Sequence, residues 1–438
     1  MAKHRIRRKD KREAEKDTNY FFEFIRIKEH FFKDLEKRLK RIEDHRHQSY
    51  VKYDTDIIIF MVILKNICNL TTMRNMTESF NKDECIENIK KVLNIEELDE
   101  LPHYDTINNF LSGLNTSELE DIRTYMIKAL LKKRCLEDYR INGKYWGIIF
   151  DGTGLYSFNK KHCEHCLKRV YNKGTEEEKT VYMHHVLEAK LVVGDMVLSI
   201  GTEFIENESE DVTKQDCELR AFYRLAPEIK NTYKRLPICI LGDSLYACEP
   251  VFKLCDEYGW KYLFRFKEGR IKTVATEFNA IKEIEKKEKV ISDIYWAKDI
   301  SYNERKVNMI EFTLDTDNKK RFVFITNLDI TERNVKGLVA VGRSRWKIEN
   351  KGFNNQKNIR YDIEHANSHN YIAMKNHYIL TQIADIIMQL YENGLKIFRI
   401  VKKTAKEISS NLLEAIRTRI LTDEDILRIV TPIQIRFT

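Results

Sequence analysis

The residues of this chain with the clearest chemical potential are acids placed where acids are costly. In residues 146–154, WGIIFDGTG, the apolar run Ile148-Ile149-Phe150 leads into Asp151 and then into Gly152-Thr153-Gly154, which is expected to turn the chain. A short run rich in β-branched residues and closed by glycine reads as a buried strand. The pattern recurs in residues 236–243, LPICILGD, with Asp243 ending the run and Ser244 turning beyond it. A carboxylate at the tip of a buried strand is expensive to desolvate unless a cation holds it. A third acid, Glu349, lies among basic and amide residues in RSRWKIENKGFNNQKN. Helical spacing puts Arg345 and Glu349 on one face, which taken alone describes only an exposed ion pair of small worth. Taken together, two strand-end aspartates and a helical glutamate make a hard-oxygen site with open positions, suited to Mg²⁺ or Mn²⁺. Two such ions side by side activate a nucleophile and stabilise the leaving oxygen of an in-line phosphoryl transfer, so the implied substrate is a phosphodiester.

A second group of chemical interest lies in the charged loop over residues 159–180, which holds His162-Cys163-Glu164-His165-Cys166. Cys163 and Cys166 offer two ligands to a structural Zn²⁺, and His162, His165, His184 or His185 could complete four. The alternative is a polar loop with free thiols and packed, hydrogen-bonded histidines. A lone CxxC without thioredoxin-like surroundings does not support redox chemistry. The nine cysteines are odd in number and follow no regular framework. They fit reduced thiols in a cytosolic protein and exclude a secreted disulfide scaffold.

These residues need elements to position them. The 438 residues suffice for two or three domains, or for one large domain carrying an insertion. With 15 glycines and 5 prolines, long helices are favoured over extended loops. The net charge of +8 suits nucleic-acid contact without demanding it. Residues 1–18 form a basic arm, either a phosphate-tracking tail or a solvated terminus. No apolar segment follows it as a signal peptide requires, and the apolar run over 57–64 is too short to cross a bilayer, so no membrane partner is expected.

Residues 19–140 read as an all-helical domain for DNA binding or self-association. Ser117-Glu118-Leu119-Glu120 forms a capping box that opens a helix through Leu119, Ile122, Met126 and Leu130. Residues 141–259 read as the first part of an α/β catalytic core. It holds the Asp151 strand, a half-buried strand alternating through His185, Leu187, Ala189, Leu191 and Val193, and a return strand after Gly194-Asp195. A helix opened by Thr213-Lys214-Gln215-Asp216 leads to the Asp243 strand, with Asp216 read first as the cap partner of Thr213 and second as a fourth acid beside the metal site. Open sheets place their chemistry at strand carboxyl ends. Residues 260–330 read as a β-rich insertion, or as further sheet with long loops. Residues 331–393 read as the second part of the core. A helix over 331–358 carries Glu349, and Gly342 and Gly352 mark a close approach or a break in it. An apolar helix over 371–391 is expected to pack on the sheet, and residues 394–438 form a basic helical tail.

The blocks DGTGLYSF, YMHHVLEAKLVVG, KQDCELRAFYRL, LPICILGDSLYA and RWKIENKGFNNQKN, with HYDTINNFLSGL and KRCLEDYRINGKYWGIIFDGTG upstream, resemble those of bacterial DDE transposases of the IS4-like insertion-sequence group. Several separate blocks occur in order over roughly residues 100–390. The resemblance implies an α/β, RNase H-like catalytic core with a β-rich insertion between the second Asp and the Glu, beside the N-terminal helical domain. It implies divalent-metal-dependent cutting and joining of DNA at element ends, with Asp151, Asp243 and Glu349 as catalytic carboxylates and metal ligands. Arg345 stands at the family's Arg position. The family's Tyr position falls on Gly342, and its Lys position on Gln356 with Lys357 beside it. Arg345 and Lys357 are expected on DNA phosphates, and Trp346 on an unpaired base or, alternatively, in the core. The implied partners are DNA, as element ends and target, and a second copy of the chain in a homodimer. The implied location is the bacterial cytoplasm, at the nucleoid. The alternatives are an RNase H-like metal-dependent nuclease that cuts without joining, and a non-catalytic DNA-binding transposase relic.

Overall fold

The computed structural model describes residues 9, 13, 16, 18–207, 214–285, 290–291, 293–314, 320–401 and 403–437. Most of the basic arm, and Thr213, lie outside the described residues. The chain divides into a helical unit of residues 1–136 and 354–438 and a mixed α/β unit of residues 137–353.

The helical unit begins with α1 (Tyr20–Phe32), α2 (Leu35–Leu39), α3 (Thr55–Ile67), α4 (Met73–Phe80), α5 (Asp83–Leu93), α6 (Tyr104–Gly113) and α7 (Thr116–Lys132). The apolar run over 57–64 lies in α3, whose residues are all buried. A helix apolar on every side must be surrounded by other elements. The start of α7 differs from expectation. Its cap is Asn115, whose side chain accepts from the Ser117 N–H at 3.1 Å, two residues ahead of the expected Ser117 box. Asparagine is an equally good cap, and the helix takes up Thr116 as its first residue.

The α/β unit holds β1 (Trp146–Phe158), β2 (Leu167–Tyr171), β3 (Lys179–Val193), β4 (Met196–Ile205), α8 (Glu218–Thr232), β5 (Ile238–Gly242), α9 (Glu249–Tyr258) and β6 (Lys261–Arg265). It continues with α10 (Lys272–Glu285), β7 (Val290–Ile291), β8 (Ile294–Tyr302), β9 (Arg305–Thr313), β10 (Arg321–Thr326) and α11 (Val335–Ser344). The strands form one sheet of ten in the order β2-β3-β1-β5-β6-β10-β9-β8-β7, with β4 paired to β3. β1 pairs antiparallel with β3 and parallel with β5, and β5 pairs parallel with β6. β6 then pairs antiparallel with β10, so residues 260–330 extend the main sheet instead of forming a separate insertion. Of the two readings of that region, further sheet is the one observed.

The sheet core includes Ile149, Leu241, Leu263, Ile310 and Phe324 from five strands. They pack with Leu338 and Val339 of α11 and with Ile348 and Phe353 beyond it. β3 was expected to be half-buried, yet Glu188 and Lys190 are buried too. Glu188 accepts the hydroxyls of Ser199 at 2.7 Å and Thr202 at 2.5 Å, which is how a carboxylate can lie between covered sheet faces.

The chain then returns to the helical unit with α12 (Tyr371–Gly394), α13 (Lys396–Val401), α14 (Ala405–Thr418) and α15 (Asp423–Ile429). α12, expected on the sheet, belongs to the helical unit. It lies against α1, α3, α6 and α7. Its buried polar groups explain the choice, since helix ends and neighbouring side chains meet them there. Asn376 Nδ2 donates to the Leu111 and Leu114 carbonyls, both at 2.8 Å, and His377 Nε2 lies 2.8 Å from Asn108 Oδ1. Residues 394–438 are likewise part of this unit and not a tail. Asn88 Nδ2 donates to the carbonyls of Ile416 and Arg419 at 2.9 and 2.8 Å. Among the described residues no helix is long and apolar enough to cross a membrane.

Candidate active site

Asp151 does not stand at a strand tip. β1 runs on through Gly152–Gly154, pairing Gly152 with Leu187, Thr153 with Val186 and Gly154 with His185 before an irregularity. The expected turn is absent because the long strand β3 carries the pairing across both glycines. What ends near Asp151 is the other neighbour. The parallel pairing of β1 with β5 closes at Ile149 opposite Leu241, so Asp151 and Asp243 each lie two residues beyond the same pair. Asp243 follows β5 directly, and its Oδ1 accepts the Leu245 N–H at 2.7 Å, which fixes the turn.

Glu349 lies within electrostatic reach of Asp151, on an unexpected winding. The α-helix expected over 331–358 ends at Ser344, and residues Ile348–Phe353 and Asn355–Ile359 are π-helical. Such turns recur at functional sites. The first π segment lies against β1 and β4, with Ile348 and Phe353 buried and Glu349 exposed. Arg345 stands at the turn between the two helices, and its Nη1 is 3.3 Å from Asp151 Oδ2. The guanidinium thus pairs with the acid of β1. Gly342 is a point of close approach, because a Cβ there would fall 2.7 Å from the Phe324 ring. Gly352 has only ordinary contacts, with Val197 at 3.5 Å.

A fourth carboxylate, missed in the sequence, completes the group. Glu218 opens α8, and its Oε1 accepts the Tyr246 hydroxyl at 2.7 Å. A Cβ on Gly152 would meet Glu218 Oε2 at 3.0 Å, so the glycine next to Asp151 leaves room for this side chain. Asp216, the acid singled out in sequence, is used otherwise. It pairs with Arg224 at 2.6 Å and accepts the Glu206 N–H at 3.2 Å. The only signal for Glu218 was its place inside the block KQDCELRAFYRL. An acid in the first turn of a helix is ordinarily a dipole partner, so its type and spacing did not mark it.

The electrostatics tie these groups together. The Asp151 carboxyl is pushed up to about 7, chiefly by burial, with Arg345 pulling it down and the charges of Glu218, Asp243 and Glu349 raising it. Glu218 is also raised, by burial and by Asp243, against the Tyr246 hydrogen bond and Arg345. Crowded carboxylates are relieved by protonation or by a multivalent cation. An all-oxygen donor set of this kind fits a hard divalent ion such as Mg²⁺ or Mn²⁺.

Trp346 is 47% exposed, with the Arg345 guanidinium carbon 5.6 Å from its ring centre, so it is not a core tryptophan. Lys357 belongs to the helical unit, where it pairs with Glu364 at 2.7 Å. Gln356 beside it is buried and donates to Asp385 Oδ2 at 2.8 Å and to Gln382 Oε1 at 3.1 Å. Cys163 and Cys166 lie on the connection between β1 and β2, their Sγ atoms 3.7 Å apart.

Residues 142–387 match the family described as Transposase DDE domain, which is more than half of the chain. The chain belongs to the DDE transposase family. Residues 36–125 match a companion family described as DDE_Tnp_1-associated, confined to the helical unit. The transposase match contains Asp151, Glu218, Asp243, Arg345 and Glu349. Domains of this family typically use divalent metal ions, and their proteins act on DNA. No curated protein matches the chain. Among solved structures it is similar to one titled cryo-EM structure of piggyBac transposase synaptic complex with hairpin DNA. That similarity has 11% identity over 94% of this chain and 86% of that one, with a TM-score of 0.39. So distant a likeness transfers neither a residue nor an activity.

Proposed function

We propose that this DDE transposase is of the bacterial IS4-like insertion-sequence kind, cutting DNA at element ends and joining the freed ends to target DNA. Asp151, Asp243 and Glu349 are its catalytic carboxylates and hold Mg²⁺ or Mn²⁺. The observation that carries the reading is that Asp151 and Asp243 each lie two residues beyond the same parallel strand pair, with Arg345 Nη1 3.3 Å from Asp151 Oδ2. An RNase H-like core is supported by the order β4-β3-β1-β5-β6, antiparallel as far as β1 and parallel beyond it, with α8 and α9 on the connections that follow β4 and β5.

Asp151, Asp243 and Glu349 would hold the divalent ions, whose chemistry there would be to activate the attacking oxygen and stabilise the leaving oxygen of an in-line phosphoryl transfer. The chain's own residues supply position and charge. β1 and β5 present two acids from paired strands, where small displacements are resisted. The π-helical turn brings the third acid from an exposed side, where a DNA backbone has access. Arg345 balances Asp151 and, with DNA present, holds a phosphate. Glu218, held by the Tyr246 hydroxyl, adds negative charge that strengthens cation binding. Trp346 stacks on an unpaired base at the cut, and Lys357 contacts a phosphate further along the strand. The chain works as a homodimer on paired ends in the bacterial cytoplasm, at the nucleoid.

The test uses the purified chain, Mg²⁺ and linear DNA bounded by the sequences that flank its coding region. The expected result is cleavage that leaves 3′-hydroxyl ends and, with target DNA added, joined products. Both should vanish in Asp151→Asn, Asp243→Asn and Glu349→Gln while DNA binding survives. Cleavage that never yields a joined product would make the chain a nuclease. Binding without cleavage in the unsubstituted chain, with Mg²⁺ or Mn²⁺, would make it a relic.

A further inference from the structure

We propose that Cys163, Cys166, His184 and His162 form a tetrahedral Zn²⁺ site that fastens the β1–β2 connection to β3. The argument is metrical. Bonds of about 2.3 Å to sulfur and about 2.0–2.1 Å to nitrogen, at tetrahedral angles, set sulfur–sulfur edges of about 3.8 Å and sulfur–nitrogen edges of about 3.5 Å. The two Sγ atoms are 3.7 Å apart, and each is 3.5 Å from His184 Nε2. Three edges of the tetrahedron are therefore already in place. His162 is the candidate for the fourth corner: its ring nitrogen and the ligand atoms of Cys163 and His184 all fall within 4.8 Å of one another, while Cys166 lies outside that group, so metal binding would draw the His162 ring toward Cys166. Two thiolates and two imidazoles select zinc over the hard ions suited to the carboxylate site.

The geometry also decides among the four histidines that the spacing left open. His165 Nδ1 is 3.0 Å from the Asn207 carbonyl, and its Nε2 is 3.6 Å from Glu164, so it is turned to other partners. His185 is opposite Gly154 on β1, with its Nε2 3.5 Å from where a Gly154 Cβ would stand, and alternation along the strand sends it to the face opposite His184. The chosen pair is packed in place. Phe158 stacks on His162 with ring centres 4.5 Å apart, and Tyr156 and Phe158 both meet His184 edge-on.

The clip leads to the candidate active site. The buried Asn207 donates its side-chain N–H to the Cys166 carbonyl at 2.9 Å and its backbone N–H to that of His165 at 3.2 Å. Asn207 Oδ1 in turn accepts the Asp216 N–H at 3.3 Å, and Asp216 holds Arg224 of α8. Two residues past Asp216, α8 begins with Glu218. The zinc thus acts as a positioning element for the entry to that helix.

Zinc content decides the matter and does not depend on the transposase reading. The purified chain, kept reduced and dialysed into Mg²⁺ buffer, should carry about one zinc per molecule. Cys163→Ser and His184→Ala should fall to near zero, while His165→Ala and Asp151→Asn should keep it. Cobalt in its place should show thiolate-to-metal charge-transfer absorption. Should the cysteine variants fail to fold, the cobalt spectrum of the unsubstituted chain still decides. A spectrum without the thiolate band, a zinc-free reduced chain, zinc retained in Cys163→Ser, or zinc lost in Asp151→Asn would each overturn the proposal.

Discussion

In the helical unit, Asp385 is 3% exposed and receives amide N–H groups from Gln356 and Gln389, both at 2.8 Å. In the α/β unit, Asp151 faces the charges of Glu218, Asp243 and Glu349, with Arg345 at 3.3 Å as the cation in contact. Both acids have been taken largely out of water. The first is met by donors and specifies how α12 packs against the π-helical segment that carries Gln356. The second has one guanidinium in contact and the charges of three acids in reach, an arrangement that leaves negative charge unmatched. Buried polar groups matched to donors hold a fold together, whereas carboxylates turned on one another mark where a ligand supplies the missing charge.

The largest effect that separates the two should come from Asp151→Asn. Loss of a catalytic carboxylate should lower cleavage by at least about a thousand-fold. In metal-free buffer the same substitution should leave the unfolding temperature unchanged or raised, because one member of a repelling group is gone. The rise in unfolding temperature that Mg²⁺ gives the unsubstituted chain should disappear. A fall of several degrees without metal would place Asp151 with Asp385, as a structural acid.

The reverse pattern is expected for Gln356→Leu. Removing the amide leaves Asp385 short of a donor and should cost about 1–3 kcal/mol of stability by denaturant unfolding. The Mg²⁺ shift of the variant should match that of the unsubstituted chain. An unchanged denaturation midpoint would mean that the network around Asp385 is not what fixes α12.

How much of this was legible in the sequence follows the same division. The runs before Asp151 and Asp243 were readable as strands because a short β-branched run flanked by glycine has few other structures open to it. The sheet beyond β6 was readable only as alternatives, since strand pairing is not written in any one strand. The turn expected at Gly152–Gly154 failed for that reason, because the pairing with β3 overrides local glycine preference. α12 was misplaced because an apolar, all-round buried helix reads the same whether sheet or helices cover it. The winding at Ile348–Phe353 was hidden because periodicity is judged against 3.6 residues per turn, which a π-helix does not keep. Glu218 was hidden because first-turn glutamates are ordinary, and only its distance from Gly152 and Tyr246 sets it apart.

The smallest expected effect is a difference in the sign of pH dependence. Burial, with Lys65 nearby, pushes His377 in the helical unit down from 6.5 to about 3. Between those values the unfolded chain binds a proton that the folded chain refuses. The stability His377 contributes is therefore intact above 6.5 and is lost progressively as pH falls below it. Asp151 runs the other way. With its carboxyl raised from 3.8 to about 7, the folded chain keeps a proton that the unfolded chain has released, so its contribution is present below 3.8 and is lost as pH rises toward 7. From about pH 4 to 6.5 the two groups oppose each other, and the unsubstituted chain without metal should show a shallow profile there. Denaturant unfolding in a chelator should then show His377→Gln losing stability as pH rises across that window, and Asp151→Asn gaining it. Mg²⁺ should erase the Asp151 contribution, since a cation then meets the charge in place of a proton, and should leave that of His377 untouched. Identical profiles for the two variants would break the comparison, because burial already gives an acid and a base opposite slopes.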